Sequence, residues 1–446
     1  MSDCIGSVGK PYGNRMGYES RIAERNTAED GPLQDTADRF KPSGDEGADK
    51  LKQLRLMAGQ KLCQAAGTAA RLPETAEPEK NMAAGGADRL ARSDVKFNGK
   101  SAPLDVAQAL AGIDKVWAQG FTGKGQTIAI LDSGIHPHPD LKDKITGWVD
   151  ITDGSLTPWD PDGHGTHVAG LAAGTGISSA GKHKGVAPDA DVVGVRINSV
   201  SDAVKGIQWV MEHKEELNIG VLNISMGDFA AWSYKNDPWA QAAEKAIEAG
   251  LVVCAAAGND GPSEFNINTP GIHPDVITVG ALDNKGTPEP DDDTVAEKSS
   301  RGPTLIDHLH KPDILAPGEN IYGPLVPGAK LELEFPEAPH DGLHYFAISG
   351  TSMATPMVAG MAAVLLSANP KLTHQEIKEI LMRSADNYLP DERDIQGAGV
   401  INAEKALELA LNWDSGAEAD SVAMSAERSR TPESHPYGSW GRRELA

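Results

Sequence analysis

The chain has 446 residues, of which 39% are hydrophobic and 24% charged, so its length allows one large domain with appended segments or two to three domains. Its net charge is −23, and the first 100 residues hold 16 basic and 15 acidic residues, so the acidic excess lies in the remainder. An acidic surface repels polyanions, which excludes nucleic-acid binding through a broad basic face. The three scattered cysteines exclude a disulfide framework and a Cys-x-x-Cys zinc site, and they are compatible with a reducing compartment.

Composition divides the chain into three regions. Residues 1–100 are polar and are expected to form a largely flexible leader or a propeptide, with one helical candidate over 51–72. Residues 101–412 are expected to fold as one domain, and residues 413–446 form a polar tail. No run reaches the roughly 18 apolar residues of a membrane span, and the start lacks the apolar core of a secretory signal. The predicted location is the cytoplasm, with export by a non-standard route as the alternative.

The middle region alternates short apolar runs with helical segments. This order predicts an α/β fold with a mostly parallel sheet and helices on both faces. Asp237 followed by Pro238 predicts a helix that ends near Gly250, and Thr373 with Glu376 predicts a capping box. Buried parallel strands are expected at 127–131, 192–197, 220–225, 251–257 and 276–282.

The first predicted strand runs into Asp132, within Leu131-Asp132-Ser133-Gly134. Open α/β sheets keep their sites at the carboxyl ends of their strands, so this acid is a candidate site residue. An aspartate at a strand end is also a common turn former or helix cap. The position alone leaves both interpretations open.

A second polar segment, Asp162-Gly163-His164-Gly165-Thr166-His167, enters a helix that is rich in small residues. His164 and His167 are three residues apart and could share one helix face as metal ligands. The glutamate that a zinc hydrolase needs is missing from this segment. A packed core histidine and a general base are the other interpretations.

The third segment is Ser349-Gly350-Thr351-Ser352-Met353-Ala354-Thr355-Pro356, which opens an apolar helix. A serine here is often only a cap. Gly350 and Ala354 leave space around Ser352, however, so its hydroxyl can be exposed where the helix dipole favours developing negative charge. The order acid, histidine, serine matches one of three known triad orders.

Taken together, these blocks resemble the subtilisin-like serine peptidases, the subtilase family, over roughly residues 105–412. The blocks ILDSGI, DGHGTHVAG and SGTSMATP are similar to the family's Asp, His and Ser signatures. The nearest resemblance is to the bacterial branch that includes leaderless, intracellular-type enzymes. The resemblance implies a subtilisin-like fold over residues 101–412 and a serine endopeptidase that works through an acyl-enzyme.

The resemblance also assigns roles to four residues. Ser352 would attack the scissile carbonyl, His164 would accept its proton, and Asp132 would orient the imidazole. Asn259 would donate its side-chain amide to the oxyanion together with the Ser352 N–H group. An inactive peptide-binding protein on the same fold and a peptide ligase using the same acyl-enzyme are the alternatives.

For substrate binding, the resemblance implies that Ser225, Met226 and Gly227 pair with an extended polypeptide, with Ala256 and Gly258 also contributing. Because backbone pairing tolerates many sequences, broad specificity is expected. The stretch 197–206 is shorter than usual for the family's second substrate-flanking strand, and 323–345 is predicted to be an inserted hairpin or loop.

No cofactor is expected for the chemistry, although calcium is the family's usual structural ion. Asp140 matches one calcium ligand of the family, but the loop that follows the His164 helix does not match the rest of that site. The triplet 291–293 is a second candidate cation site. Polypeptide substrates are the only expected partners, and the oligomeric state is not predicted.

Overall fold

The computed structural model describes residues 104–413. The predicted leader, its helical candidate and the tail from residue 414 onward lie outside the described residues. The helices are α1 Leu104–Leu110, α2 Ile113–Ala118, α3 His164–Ala173, α4 Val200–His213, α5 Pro238–Glu248, α6 Lys330–Glu334, α7 Thr351–Ala368, α8 His374–Ser384, α9 Arg393–Gln396 and α10 Ala403–Leu411. The strands are β1 Thr127–Asp132, β2 Ile145–Asp150, β3 Asp191–Arg196, β4 Ile219–Ile224, β5 Val252–Ala256, β6 Ile277–Asp283, β7 Thr294–Val295, β8 Ile314–Pro317, β9 Ile321–Pro324, β10 His340–Asp341 and β11 Tyr345–Ile348.

Eight strands form one sheet in the order β2-β3-β1-β4-β5-β6-β7, and β8 also pairs with β6. Every pair in this sheet is parallel except β6 with β7. The predicted α/β class is confirmed, and all five predicted strands are present with ends shifted by at most one residue. After β1 the chain forms β2 and β3 on one side of that strand, and it then crosses to form β4 on the other side. A crevice therefore opens at the carboxyl end of β1.

Helices cover both faces of the sheet, because the central strands carry apolar side chains on both faces. Ile128 and Ile130 pack in one core with residues of α3 and α7. Ala129 and Leu131 pack in a second core with residues of α4 and α5. Successive side chains of a strand point to opposite faces, so a continuous apolar run is what a sheet between two helical layers requires.

Helix α7 lies against β4, β5 and β6 and carries the predicted nucleophile in its first turn. By length and composition alone it could cross a membrane, but 83% of that window is buried inside the protein, as in a core helix. Its five alanines and Gly360 let it approach the sheet closely. The backbone of Ser352 is thereby fixed relative to the strand ends.

The two capped helices formed as predicted. Asp237 accepts hydrogen bonds from the N–H groups of Trp239 and Ala240 at the start of α5. At the start of α8, the side chain of Thr373 bonds the backbone of Glu376 and the side chain of Glu376 bonds the backbone of Thr373, which completes the capping box.

Strands β2, β7 and β8 and a small sheet were not predicted from the sequence. The small sheet has the order β10-β11-β9 and is antiparallel. The stretch 323–345, predicted to be a hairpin or loop, runs from the end of β9 through the short helix α6 to β10 and the start of β11, and β10 and β11 form an antiparallel pair. Strand β2 escaped prediction because it lies at the sheet edge and is mostly only partly buried, which breaks the apolar pattern.

Candidate active site

Asp132 and His164 form a buried pair at the carboxyl end of β1. His164 Nδ1 lies 2.7 Å from Asp132 Oδ1, which also accepts the Ser133 N–H group at 2.7 Å. Asp132 is fully buried, whereas a fifth of the His164 side chain is exposed. The carboxylate therefore holds one ring nitrogen and leaves the other edge of the imidazole open to the crevice.

The position of His164 depends on Asp160, a residue that the sequence analysis missed. Its carboxylate accepts the N–H groups of Gly163 and Thr166 at 2.8 Å each and the Thr166 hydroxyl at 2.6 Å. It also accepts the Ser133 hydroxyl at 2.9 Å, which ties the start of α3 to the end of β1. An acid shortly before a helix start was the available signal, because such residues satisfy unpaired N–H groups.

The environment of His164 stabilises its protonated form. Burial lowers the pKa of the imidazole, but the charge and hydrogen bond of Asp132, with smaller contributions from Asp162 and Asp160, raise that pKa to about 9. A histidine held in this way is a strong base once it is neutral.

Ser352 lies in the first turn of α7 and exchanges hydrogen bonds with Ser225, which follows β4. Ser352 Oγ donates to Ser225 O at 2.9 Å, and Ser225 Oγ donates to Ser352 O at 3.0 Å. The register pairs Leu131 with Ile224, so Asp132 and Ser225 lie side by side at the ends of adjacent strands. His164 and Ser352 are each bonded to one of these neighbours, which brings them to the same crevice.

The Ser352 hydroxyl bonds to Ser225 O rather than to His164. Without substrate, catalytic hydrogen bonds are often long or poorly aligned, and they tighten when the substrate complex forms. Rotation about the Ser352 Cα–Cβ bond releases the hydroxyl from Ser225.

Asn259 is exposed just beyond β5, beside the start of α7. Its Oδ1 accepts the Thr351 N–H group at 2.9 Å and the Thr351 hydroxyl at 3.1 Å. These bonds fix the amide orientation and leave Nδ2 without a hydrogen bond to any described residue. Gly350 allows this contact, since its φ of 151° belongs to the glycine region and a methyl group there would lie 3.3 Å from Asn259 Nδ2.

The predicted substrate-binding residues lie on two neighbouring segments. Ser225, Met226 and Gly227 continue from β4, and Ala256 ends β5 just before Gly258. Because β4 and β5 are parallel neighbours, the two segments leave the sheet side by side. The short stretch after β3 turns into α4 at Val200, so the described chain offers no second flanking strand there.

His167 does not share a metal site with His164. Its Nε2 lies 3.2 Å from Phe346 O, and its ring packs edge-on against the Phe346 ring. Burial lowers the pKa of His167 to about 3, so the ring stays neutral. Among residues 104–413, no group of three or more His, Cys, Asp or Glu side chains is placed to hold a metal ion.

Asp140 is buried and both of its carboxylate oxygens are already bonded. Oδ2 accepts the Tyr345 hydroxyl at 2.5 Å, and Oδ1 accepts the Ser178 N–H group at 3.1 Å. Burial and the bond to Asp140 raise the pKa of Tyr345, which keeps the hydroxyl protonated as a donor. Calcium takes six to eight oxygen ligands, and a carboxylate whose oxygens are satisfied by donors does not fit that role.

Of the acidic triplet 291–293, Asp293 is bonded to a protein group through one of its carboxylate oxygens. Asp293 Oδ2 accepts the Tyr388 hydroxyl at 2.5 Å. Asp291 and Asp292 lie in a 3₁₀ turn over 290–292.

Comparison with known proteins identifies the family. Residues 123–400 match the model of the subtilase family. The chain is 42% identical over 317 residues to serine protease AprX of Bacillus subtilis, which covers 68% of this chain and 71% of that protein. It is 31% identical over 325 residues to a thermostable alkaline protease of Halalkalibacterium halodurans, covering 70% and 78% of the two chains. The solved structure of sphericase superimposes with a TM-score of 0.53 at 29% identity, covering 65% of this chain and 97% of that one.

The chain therefore belongs to the subtilase family, and it is a serine-type endopeptidase that acts on polypeptides. The subtilisin-like fold is confirmed by the likeness to sphericase. Subtilases need no cofactor for the chemical step.

Proposed function

We propose that the protein cleaves extended polypeptide segments with Ser352 as nucleophile, His164 as general base and then general acid, and Asp132 as the group that fixes the imidazole. The observation that carries these roles is the meeting of two anchored pairs at adjacent strand ends. Asp132 Oδ1 lies 2.7 Å from His164 Nδ1, and Ser225 O accepts the Ser352 hydroxyl. Asp132 ends β1 and Ser225 follows β4, the strand paired with β1.

The first half of the reaction forms an ester. The Ser352 hydroxyl leaves Ser225 O and attacks the scissile carbonyl while its proton passes to the free nitrogen of His164. The resulting imidazolium is stabilised by the Asp132 carboxylate and then protonates the leaving amine as the C–N bond breaks. In the second half, water gives a proton to His164 and attacks the acyl carbonyl. The ester C–O bond then breaks, His164 returns the proton to Ser352 Oγ, and the carboxylic acid product leaves.

Two unpaired donors face the oxyanion that forms in both halves. The Ser352 N–H group lies in the first turn of α7 and, like Asn259 Nδ2, donates no hydrogen bond to a described residue. Because Thr351 holds Asn259 Oδ1, the amide is oriented before substrate arrives, so no reorganisation energy is spent during the reaction.

The substrate is expected to add as a strand along Ser225, Met226 and Gly227. The main-chain groups of this segment recognise any extended backbone, which supports broad sequence tolerance.

A cleavage assay on an unfolded protein tests this function. We expect the full chain to cut carboxymethylated casein at many internal sites and the Ser352→Ala variant to lose about 10⁶-fold in rate. Release of only terminal residues, or equal cleavage by both proteins, would overturn the proposal.

We further propose that Asp140 is stabilised by Tyr345 and Ser178 in place of calcium. The Tyr345 hydroxyl and the Ser178 N–H group donate hydrogen bonds to the Asp140 carboxylate, and these bonds stabilise the buried negative charge that a cation would otherwise stabilise. In the Ser352→Ala background, which prevents self-digestion, the thermal unfolding midpoint is expected to be the same in EGTA and in added calcium.

The Tyr345→Phe variant removes the donor and leaves a buried carboxylate oxygen unsatisfied. The expected loss of unfolding free energy is about 1–3 kcal/mol. Tyr234→Phe is the matched control, because the Tyr234 hydroxyl makes no hydrogen bond to a described residue. A fall of the unfolding midpoint in EGTA that calcium restores and magnesium does not would contradict the proposal.

A further inference from the structure

We propose that Arg196 is a positioning residue for the catalytic histidine and that it acts on His164 through Trp159 and Asp160. The proposal rests on the function assigned above and deepens it, because it names a group on which the chemical step depends although that group reaches His164 only through other residues. Such a group is expected to affect kcat rather than KM.

Arg196 ends β3, and its guanidinium is bonded to the end of β2 and to the loop that follows it. Nη1 lies 3.0 and 2.9 Å from the two carboxylate oxygens of Asp150 and 2.7 Å from Asp153 Oδ2. Cζ lies 4.5 Å from the centre of the Trp159 ring, whose Nε1 donates to Asp150 Oδ2 at 3.3 Å. Only 10% of the Arg196 side chain and none of the Asp150 side chain is exposed. Guanidinium, carboxylate and indole therefore form one cluster that holds the Trp159 ring.

The backbone of Trp159 is held as well as its ring. A methyl group built on Gly134 would lie 2.2 Å from Trp159 O and 3.1 Å from Asp160 Cα, so a glycine is needed for these atoms to pack against the end of β1. The φ of Gly134 is 133°, which also belongs to the glycine region. The position of Trp159 therefore determines where the next residue, Asp160, presents its carboxylate.

Asp160 transmits this placement to the catalytic helix. Its carboxylate accepts the N–H groups of Gly163 and Thr166, which lie on either side of His164 in the chain. His164 Nδ1 lies 2.7 Å from Asp132 Oδ1, and the other ring nitrogen has to reach the nucleophile. A misplacement of about 1 Å can cost about 100-fold in rate. Loosening Asp160 should therefore slow the chemical step and leave the substrate-binding segments in place.

Substitutions at two positions test this route. Arg196→Lys keeps the positive charge and loses the planar group that stacks on the indole, and Trp159→Ser removes the ring. Arg383→Lys is the matched control, because it removes the same kind of stacking, with Cζ 5.5 Å from the Trp413 ring, at helix α8. We would measure kcat and KM on one peptide anilide for each single variant and for the variant that carries both Arg196→Lys and Trp159→Ser. Each rate is divided by the number of active sites that a serine-directed phosphonate counts at its end point.

We expect Arg196→Lys and Trp159→Ser each to lower kcat per active site by at least about tenfold, with KM changed by less than about twofold. The double variant should lose no more than the more impaired single variant, because both changes act through one route. Trp159→Phe, which keeps a ring beside the guanidinium, should retain kcat within about threefold, and Arg383→Lys should retain both constants. A smaller loss in Arg196→Lys, or single losses that multiply in the double variant, would overturn the proposal.

Active-site titration and unfolding separate three kinds of failure. Denaturant unfolding in the Ser352→Ala background shows whether each variant is folded. Fewer titratable sites with an unchanged kcat per site would give Arg196 a merely structural role and overturn the proposal. Full titration with unchanged rates in Arg196→Lys counts against Arg196 alone. Absence of titratable serine in the unmodified protein counts against the catalytic roles.

Discussion

At the scale of single residues, the chemistry depends on the pKa of His164, which burial lowers and the charge of Asp132 raises. Burial alone would favour the neutral ring, yet the carboxylate at 2.7 Å raises the pKa of His164 to about 9. The base must be neutral to accept the Ser352 proton. Below the pKa of His164, the neutral fraction falls about tenfold for each pH unit.

The pH dependence of kcat/KM follows from this balance. We expect activity to fall as the pH drops through the raised pKa of His164, so the acid limb should lie on the alkaline side of the ordinary histidine value. Asp132→Asn removes the charge that raises this pKa. Its acid limb should move to lower pH while kcat drops by about 10⁴-fold.

Steady-state rates on one peptide anilide across the pH range, taken at high enzyme concentration for the variant, would check both effects. An acid limb of Asp132→Asn at the same or a higher pH than in the unmodified protein would contradict the account.

The oxyanion donors give a second prediction at this scale. Asn259→Leu removes Nδ2, and the loss expected is about 10²- to 10³-fold in kcat, the size known for the corresponding loss in subtilisin. KM should change little, because the donor acts on the tetrahedral state rather than on the bound substrate. A variant whose loss falls entirely on KM would show that Asn259 serves ground-state binding.

The sequence identified these catalytic candidates because their neighbours form contiguous blocks. It missed Asp160, although an acid shortly before a helix start is a local signal for a residue that binds the N–H groups of that start. The bond from the Ser133 hydroxyl to Asp160, which ties this helix start to the end of β1, is made across the fold and leaves no local pattern.

At the scale of elements, strand β8 and helix α8 are joined by a buried cluster of charges. Asp313 lies 2.6 Å from Lys311 Nζ and 2.9 Å from Lys378 Nζ. Burial raises the pKa of Asp313, but Lys311 and Lys378 lower that pKa by a larger amount. The net shift is downward, so the carboxyl stays ionised. Both lysines also donate to Val276 O, which ties the cluster to the start of β6.

Removing the charge of Asp313 should therefore destabilise the fold strongly. In Asp313→Asn, Lys311 and Lys378 lose the carboxylate that both contact, and the free energy of unfolding should fall by about 3–5 kcal/mol. Denaturant unfolding in the Ser352→Ala background would measure the loss.

Glu404→Gln is the matched control, because its pair with Lys115 at 3.0 Å is about half exposed on both sides. That change should stay within about 1 kcal/mol, as exposed pairs contribute little. An Asp313→Asn variant no less stable than this control would refute the role of the cluster.

Element prediction succeeded where a single physical rule decides the outcome. The buried strands are continuous apolar runs, and α5 and α8 carry side chains that cap their own first turns. It failed for β2, which is partly exposed at an edge, and for β9 to β11, which are short and depend on pairing with one another. Short strands of this kind take their structure from the tertiary context.

At the scale of the whole molecule, the sheet brings together residues separated by 220 positions of sequence, from Asp132 to Ser352. The acid, the base and the nucleophile come from three elements that share one crevice. The net charge of −23 bears on solubility and on which substrates approach, not on this arrangement. The cytoplasmic location and the separate leader and tail stay predictions.

The proposed mechanism requires Ser352 to be an activated nucleophile. We would incubate the full chain and its Ser352→Ala variant with a serine-directed phosphonate and examine the intact and processed forms by intact-protein and peptide mass spectrometry. We expect one covalent adduct, located on Ser352 and absent from the variant. A folded protein that forms no adduct at Ser352, or a variant labelled to the same extent, would show that Ser352 is not activated.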